Sequence, residues 1–254
     1  AKLFFTIGTT VRNIPVILPD MSDQPGQTTN PPSTPASAAI PTVKSGGIPP
    51  ATASRLGLYL RELQHFLRSG TETIKSSALG RRLGLSDSQI RRDLALFGEF
   101  GKRGVGYNVA GLVGALRRAL GTDGQWNTVL IGLGNLGNAL VRYRGFTQQG
   151  FVLQAIFEAD ASKIGQEIDG VPIYGIEHLE SVLPRLQVQM AILAVPAAAA
   201  PALASRLADL GISGILNFAP VSLSSIPSVA TVDVDLAVEL QRLAFAVVNS
   251  GRPG

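Results

Sequence analysis

Residues 128–137, Thr-Val-Leu-Ile-Gly-Leu-Gly-Asn-Leu-Gly, carry an apolar segment straight into a G-x-G-x-x-G turn. A lone glycine triplet is weak evidence, but this one meets the context test of a strand before and a helix after, and each glycine serves a different end. Gly132 permits a tight turn after a strand, Gly134 lets a pyrophosphate approach the backbone, and Gly137 lets the following helix pack on the strand. Leu133, Asn135 and Leu136 complete the turn, and the helix N-terminus faces the negative charge. A second apolar run, Phe151 to Phe157, ends in Glu158. It stands about twenty residues past the turn, where an acid accepts hydrogen bonds from the adenosine ribose. A carboxylate there repels a 2′-phosphate, which favours NAD(H) over NADP(H). Asp160 is a second candidate for that role, and Lys163, the only lysine after residue 121, joins them as a candidate ligand contact.

The pattern then continues to alternate. Val188 to Val195 reads as a buried strand, Ala197 to Leu210 as a helix and Gly214 to Phe218 as another strand. Such alternation makes a parallel, doubly wound α/β sheet. Ligands sit at the carboxyl ends of its strands, so Ala194-Val195-Pro196 and Asn217-Phe218-Ala219-Pro220 are either pocket walls or plain strand-end turns. In the last segment, Asp235 to Val248, Leu236, Leu240, Leu243 and Val247 recur at helical spacing. That helix belongs either to the core or to an exchange with a second subunit.

Charge separates the chain into unlike parts. Residues 48–121 hold twelve Lys and Arg against five Asp and Glu, whereas residues 122–254 hold seven against eleven. A polyanion partner is therefore expected for the first part only. There Leu56, Leu60, Leu63 and Leu67 form one apolar stripe of a helix, stopped near Gly70, and Leu79 and Leu83 mark a short second helix ending near Gly84. Ser86 caps a third helix, with Gln89 placed to complete an S-x-x-Q capping box. On it Ile90, Leu94 and Phe97 point inward, leaving Ser88, Gln89, Arg91 and Arg92 outward in the layout of a DNA-recognition helix. Ser77, on the preceding helix, is grouped with them. Gly98, Gly101, Gly104 and Gly106 punctuate a hairpin wing bearing Lys102, Arg103 and Tyr107, suited to close approach to phosphate. A helix built on Leu112, Leu116 and Leu120 closes the module at Gly121. The expected domains are thus a disordered leader (1–47), a winged helix-turn-helix (48–121), a Rossmann-like NAD(H)-binding domain (122–234) and a C-terminal helix (235–254).

The leader is inferred from Pro, Ser, Thr and Gly between residues 20 and 50. Arg12, Asn13 and Pro15 interrupt the opening apolar stretch, so it does not read as a signal peptide. Cysteine is absent, which removes disulfides and thiol redox chemistry and fits a cytoplasmic setting. The two histidines, His65 and His178, are isolated and make neither a metal site nor an evident acid or base. The glycine turn is therefore expected to bind rather than react. An NAD-dependent oxidoreductase with a basic accessory domain, and a repressor sensing another adenine ligand such as coenzyme A, stay open.

The stretches Gln89-Ile90-Arg91-Arg92-Asp93-Leu94, Arg103-Gly104-Val105-Gly106-Tyr107, Gly132 to Gly137, Tyr143-Arg144-Gly145-Phe146 and Gly214 to Pro220 occur in one order. In these the chain resembles the Rex family of redox-sensing transcriptional repressors, from about Ile48 to Asn249. The resemblance implies a homodimer that binds operator DNA, senses NADH against NAD, releases DNA when NADH binds, and exchanges its C-terminal helix. It implies that Tyr143 reaches the nicotinamide pocket in the dimer. It also implies that Arg61 and Asp235 form a charged pair linking sensor to DNA-binding domain in one state. Glu158 departs from the aspartate of many relatives, and the leader has no counterpart.

Overall fold

The computed structural model describes residues 50–97, 101–102, 105–223, 226 and 228–250. The leader, Gly98, Arg103 and Gly104 lie outside the described residues.

Helix α1 (Pro50–Arg68) buries Leu56, Tyr59, Leu60 and Leu63. Leu67, expected on the same stripe, is 43% exposed in the last turn of the helix. After β1 (Thr73–Ile74), α2 (Ser76–Leu83) ends at Gly84 in the left-handed region, φ 65°. Helix α3 (Asp87–Leu94) follows at once, and the pair packs so closely that a Cβ on Gly80 would lie 2.5 Å from the Leu85 carbonyl. Strands β2 (Gly101–Lys102) and β3 (Gly106–Asn108) are antiparallel, and β3 also pairs with β1, giving a sheet ordered β1-β3-β2. Helix α4 (Val109–Ala119) is capped by Asn108, whose side chain accepts from Gly111 N at 2.7 Å. Together Leu56, Tyr59, Leu63, Leu79, Ile90, Leu94, Leu112 and Leu116 make one core, with Leu83 and Leu120 only partly buried at its edge. Four helices around one core, with a small sheet carrying a hairpin, are a winged helix-turn-helix.

The capping box closes on one side only. Ser86 Oγ accepts from Gln89 N at 3.3 Å, but the Gln89 side chain turns away to Asp93 and Arg92. A buried, ionised carboxylate is the stronger acceptor for its amide.

The remainder is a seven-stranded sheet ordered β10-β9-β8-β4-β5-β7-β6. Strand β4 (Trp126–Ile131) leads to α5 (Asn135–Val141), the short α6 (Gly145–Gln148) and β5 (Phe151–Glu158). Then come β6 (Glu167–Ile168), β7 (Val171–Gly175), α7 (Leu179–Val182), β8 (Met190–Leu193), α8 (Ala200–Asp209), β9 (Gly214–Asn217) and β10 (Ala230–Asp233). All pairings are parallel except β6 with β7. Strand β8 and helix α8 are shorter than expected, since Ala194 to Ala199 form the connecting turn. Phe157, Leu193, Ala204, Leu207 and Ile215 fill one face of the sheet. Leu130, Ile156, Ile173 and Ile192 fill the other.

Helix α9 (Leu236–Ser250) is different. Leu236, Leu240, Leu243, Phe245, Val247 and Val248 are each at least 60% exposed, so among the described residues the apolar helix finds no core to pack on. No helix of the described residues is long and apolar enough to cross a membrane.

Candidate nucleotide cleft and nucleic-acid face

The sheet order reverses at β4: the chain goes to β5 on one side and later to β8 on the other. In open parallel sheets the crevice at such a reversal is the ligand site. Here it is a cleft of about 520 Å³ lined by Gly132, Leu133, Gly134, Glu158, Lys163, Ile176, Val195, Pro196, Leu203 and Arg206, among others.

The glycines divide their labour. Gly132 has φ 94°, and a Cβ there would lie 2.5 Å from the Ala194 carbonyl, so only glycine fits between the ends of β4 and β8. A Cβ on Gly137 would strike the Gly132 carbonyl, so its absence lets α5 close on the strand. Gly134 is unlike both: its φ is −71° and nothing lies within 4 Å of where a Cβ would stand. Its bare backbone leaves room for something outside the chain.

Glu158 closes one wall. Its carboxylate accepts from Leu133 N, from Ala159 N at 2.7 Å and from Asp160 N at 3.0 Å. Burial pushes its pKa up, but these amides and the Lys163 charge outweigh it and hold the group below the usual glutamate range. It is thus an anion at neutral pH, able to accept hydroxyl hydrogen bonds and hostile to a phosphate. Lys163 Nζ donates to the Leu133 carbonyl at 3.2 Å and pairs with Asp160 at 3.4 Å. Asp160 is exposed and turned to Ser162, with Oγ at 2.6 Å, and these bonds lower its pKa.

The opposite wall was not foreseen from the sequence. Ile176 and Leu203 give it an apolar surface, and Arg206 is held by a bidentate ion pair with Glu180, at 2.7 and 2.9 Å, and by the Ile176 carbonyl at 3.1 Å. No motif marks these residues: Leu203 and Arg206 lie on α8, and Ile176 on the turn after β7.

The turn after β9 behaves differently from that after β8. Asn217 is fully buried; its amide donates to the Ala219 and Val221 carbonyls and to Asp233 Oδ1, while its own oxygen accepts from Ala219 N. Its polar atoms are committed to shaping the turn. Phe218 packs on the Leu130 core face, Ala219 is buried and Pro220 is exposed. None of the four lines the glycine cleft, nor do Asn135, Leu136 or Asp160. Tyr143, 59% exposed and edge-on to Phe146 at 5.1 Å, lines a separate cleft with Arg142, Arg144 and Asp169.

On α3 the outward residues differ in freedom. Ser88, Arg91 and Arg92 are exposed and Gln89 half-buried. Arg91 Nη1 lies 3.4 Å from Asp87 Oδ2 and 3.3 Å from Ser76 Oγ. Ser77 is half-buried on α2, Ser86 Oγ meets Ser88 Oγ at 3.1 Å, and Tyr107 is half-buried on β3, opposite Gly101. Lys102 ends β2.

The inner face of α3 carries a buried carboxylate, Asp93. Arg55 Nε and Nη2 donate to it at 2.7 and 3.0 Å, and Tyr59 Oη at 2.7 Å. Burial alone would raise the Asp93 pKa, but Arg55, Tyr59 and Gln89 together hold it below the ordinary range. The Tyr59 hydroxyl is pushed up by burial and by that carboxylate.

Of the expected coupling pair, Arg61 is exposed, 3.8 Å from Glu62, and Asp235 caps α9 by accepting from Ala237 N at 2.8 Å. Each has a local role within the chain.

Known proteins extend this picture. Residues 47–95 match a family model described as "Putative DNA-binding protein N-terminus", and residues 123–221 match one described as "CoA binding domain". The "Redox-sensing transcriptional repressor Rex" of Carboxydothermus hydrogenoformans is 44% identical over 81% of this chain and 99% of its own. That of Rhodopirellula baltica is 47% identical over 77% and 82%. A crystal structure of RSP with β-NAD+ and operator DNA superposes with a TM-score of 0.74 at 35% identity, covering 80% of this chain and 94% of RSP. Another, with β-NADH, gives 0.72 at 33% identity over 80% and 95%.

Proposed function

Because the chain belongs to the Rex family of redox-sensing transcriptional repressors, we propose that it represses by holding operator DNA through α3 and the wing and lets go when NADH fills the glycine cleft. The observation that carries this reading is the anionic Glu158 beside the open backbone at Gly134, in the same chain as a basic winged helix. Gly132 to Gly137 would receive the pyrophosphate and Glu158 the ribose hydroxyls. The apolar wall at Ile176 and Leu203 suits the adenine ring. Ser77, Ser86, Ser88, Arg91, Arg92, Lys102, Arg103, Gly104 and Tyr107 would face the DNA.

The exposed stripe of α9 supports a homodimer in which this helix crosses to the second subunit. Two copies of α3 would then read a palindromic site. In that dimer Tyr143 would enter the nicotinamide end of the other subunit's cleft, and Arg61 and Asp235 would pair in one of two states. NADH can shift those states only by binding one of them more tightly, and moving a 1:99 mixture to 99:1 takes a preference of about 10⁴. The nucleotide is read here as a signal and not a substrate, since His65 lies on α1 and His178 on an exposed turn away from the cleft lining.

The test is fluorescence anisotropy on a palindromic duplex that the protein itself selects from a randomised pool. NADH is expected to displace the duplex and NAD to do so weakly; DNA affinity indifferent to NADH would sink the mechanism. The match to a CoA-binding model favours coenzyme A as a second reading. Thermal shifts with NADH, NADPH and coenzyme A separate the two, because the preferred ligand stabilises by mass action.

A further inference from the structure

Gln89 occupies a position on α3 from which an amide could read a base, yet both ends of that amide are engaged within the protein. Its Nε2 donates to Asp93 Oδ1 at 2.9 Å, and its Oε1 accepts from Arg92 Nη2 at 3.0 Å. The direction of the amide is not a free choice. An ionised carboxylate only accepts, so the amide must turn its NH₂ inward and its oxygen outward. Asp93 is itself immobile, since Arg55 and Tyr59 on α1 take its other bonds and Arg55 Nη2 also meets Thr52 Oγ1 at 3.1 Å. The chain of bonds therefore runs from the buried core of α1, through Asp93 and Gln89, to an exposed guanidinium.

We propose that Gln89 is a positioning residue, which sets operator specificity by presenting Arg92 rather than by contacting a base. This rests on the reading of α3 as the DNA-facing helix. A free arginine on a helix surface samples many rotamers and loses that freedom on docking. Arg92 is already restrained, so less freedom is lost when a phosphate or guanine takes it. The restraint also has direction, which favours one DNA register over its neighbours.

A double-mutant cycle on the full chain tests this. Gln89→Ala, Arg92→Ala and the double variant are titrated onto the self-selected duplex and onto a scrambled duplex of equal length at one salt concentration. Gln89→Ala is expected to weaken the selected duplex about tenfold and the scrambled one far less, with Arg92→Ala costing at least as much. The double variant should bind no more weakly than Arg92→Ala alone, because the glutamine has nothing left to position. Additive losses would overturn the proposal, as they would mean that Gln89 touches DNA itself. A Gln89→Ala variant as tight as the parent would overturn it too. An Arg92→Ala variant as tight as the parent would remove the DNA-facing reading of α3, and the relay with it. If Gln89→Ala melts early, Gln89→Met keeps the side-chain length without the amide and gives the same comparison.

Discussion

Gly134 and Gly137 belong to one turn, but the protein uses their missing side chains in opposite directions. At Gly137 a Cβ meets the chain's own Gly132 carbonyl, whereas at Gly134 it meets nothing. Gly137→Ala is therefore expected to destabilise the fold by about 1–3 kcal/mol through overpacking. Gly134→Val, in an extended conformation that valine accepts, should leave stability within about 0.5 kcal/mol. The same Gly134→Val should weaken NADH binding by at least about tenfold, since the ligand and not the protein fills that space. Thermal melting and NADH titration of the two variants check the contrast; a Gly134→Val protein that binds NADH normally would exclude this turn as the pyrophosphate site. The turn at Gly132 and the close packing at Gly137 were legible from spacing, because a positive φ and a contact five residues away are local causes. Arg206 was not, because what brings it to the cleft is the packing of α8 against the turn after β7.

The helices α1 and α3 share a titratable tie. The Asp93 carboxylate has a folded-state pKa held below its ordinary value near 3.8, so its ionised form is favoured by folding. The stability this contributes is present above that value and disappears as pH falls through the lowered one. Asp93→Asn should melt earlier at neutral pH, by roughly 5–10 °C, with its deficit shrinking towards the acid limit where the parent's own carboxylate is protonated. Calorimetry between pH 7 and pH 2.5 would check it, and parallel melting curves at every pH would argue against the tie. The helices themselves were readable from the leucine spacing and from Ser86. The Asp93 bonds were not, since Arg55 and Asp93 stand 38 residues apart and only the α1–α3 crossing joins them.

For the whole molecule, α9 is the unfinished part. An apolar helix with Phe245 72% exposed is costly to leave in water, and a second copy of the chain is the occupant that the proposed dimer supplies. Phe245→Glu is expected to shift the protein from dimer to monomer in sedimentation and to lower operator affinity by more than about tenfold, because a palindrome then meets half its reader. A Phe245→Glu dimer with parental DNA affinity would show that α9 does not hold the subunits together.

Sequence by itself determined what depends on neighbours along the chain. The doubly wound sheet follows from alternating apolar runs, the nucleotide turn from glycine spacing, and the polyanion face from arginines and glycines clustered between residues 48 and 121. Tertiary structure alone decided what depends on crossings. It turned Gln89 from a free face into a bridge, spent the Asn217 side chain on its own turn, brought Arg206 and Ile176 to the cleft, and left the apolar stripe of α9 exposed. The physical reason is range: backbone conformation and periodicity act over a few residues, whereas burial and hydrogen-bond partnership are settled only when distant segments meet.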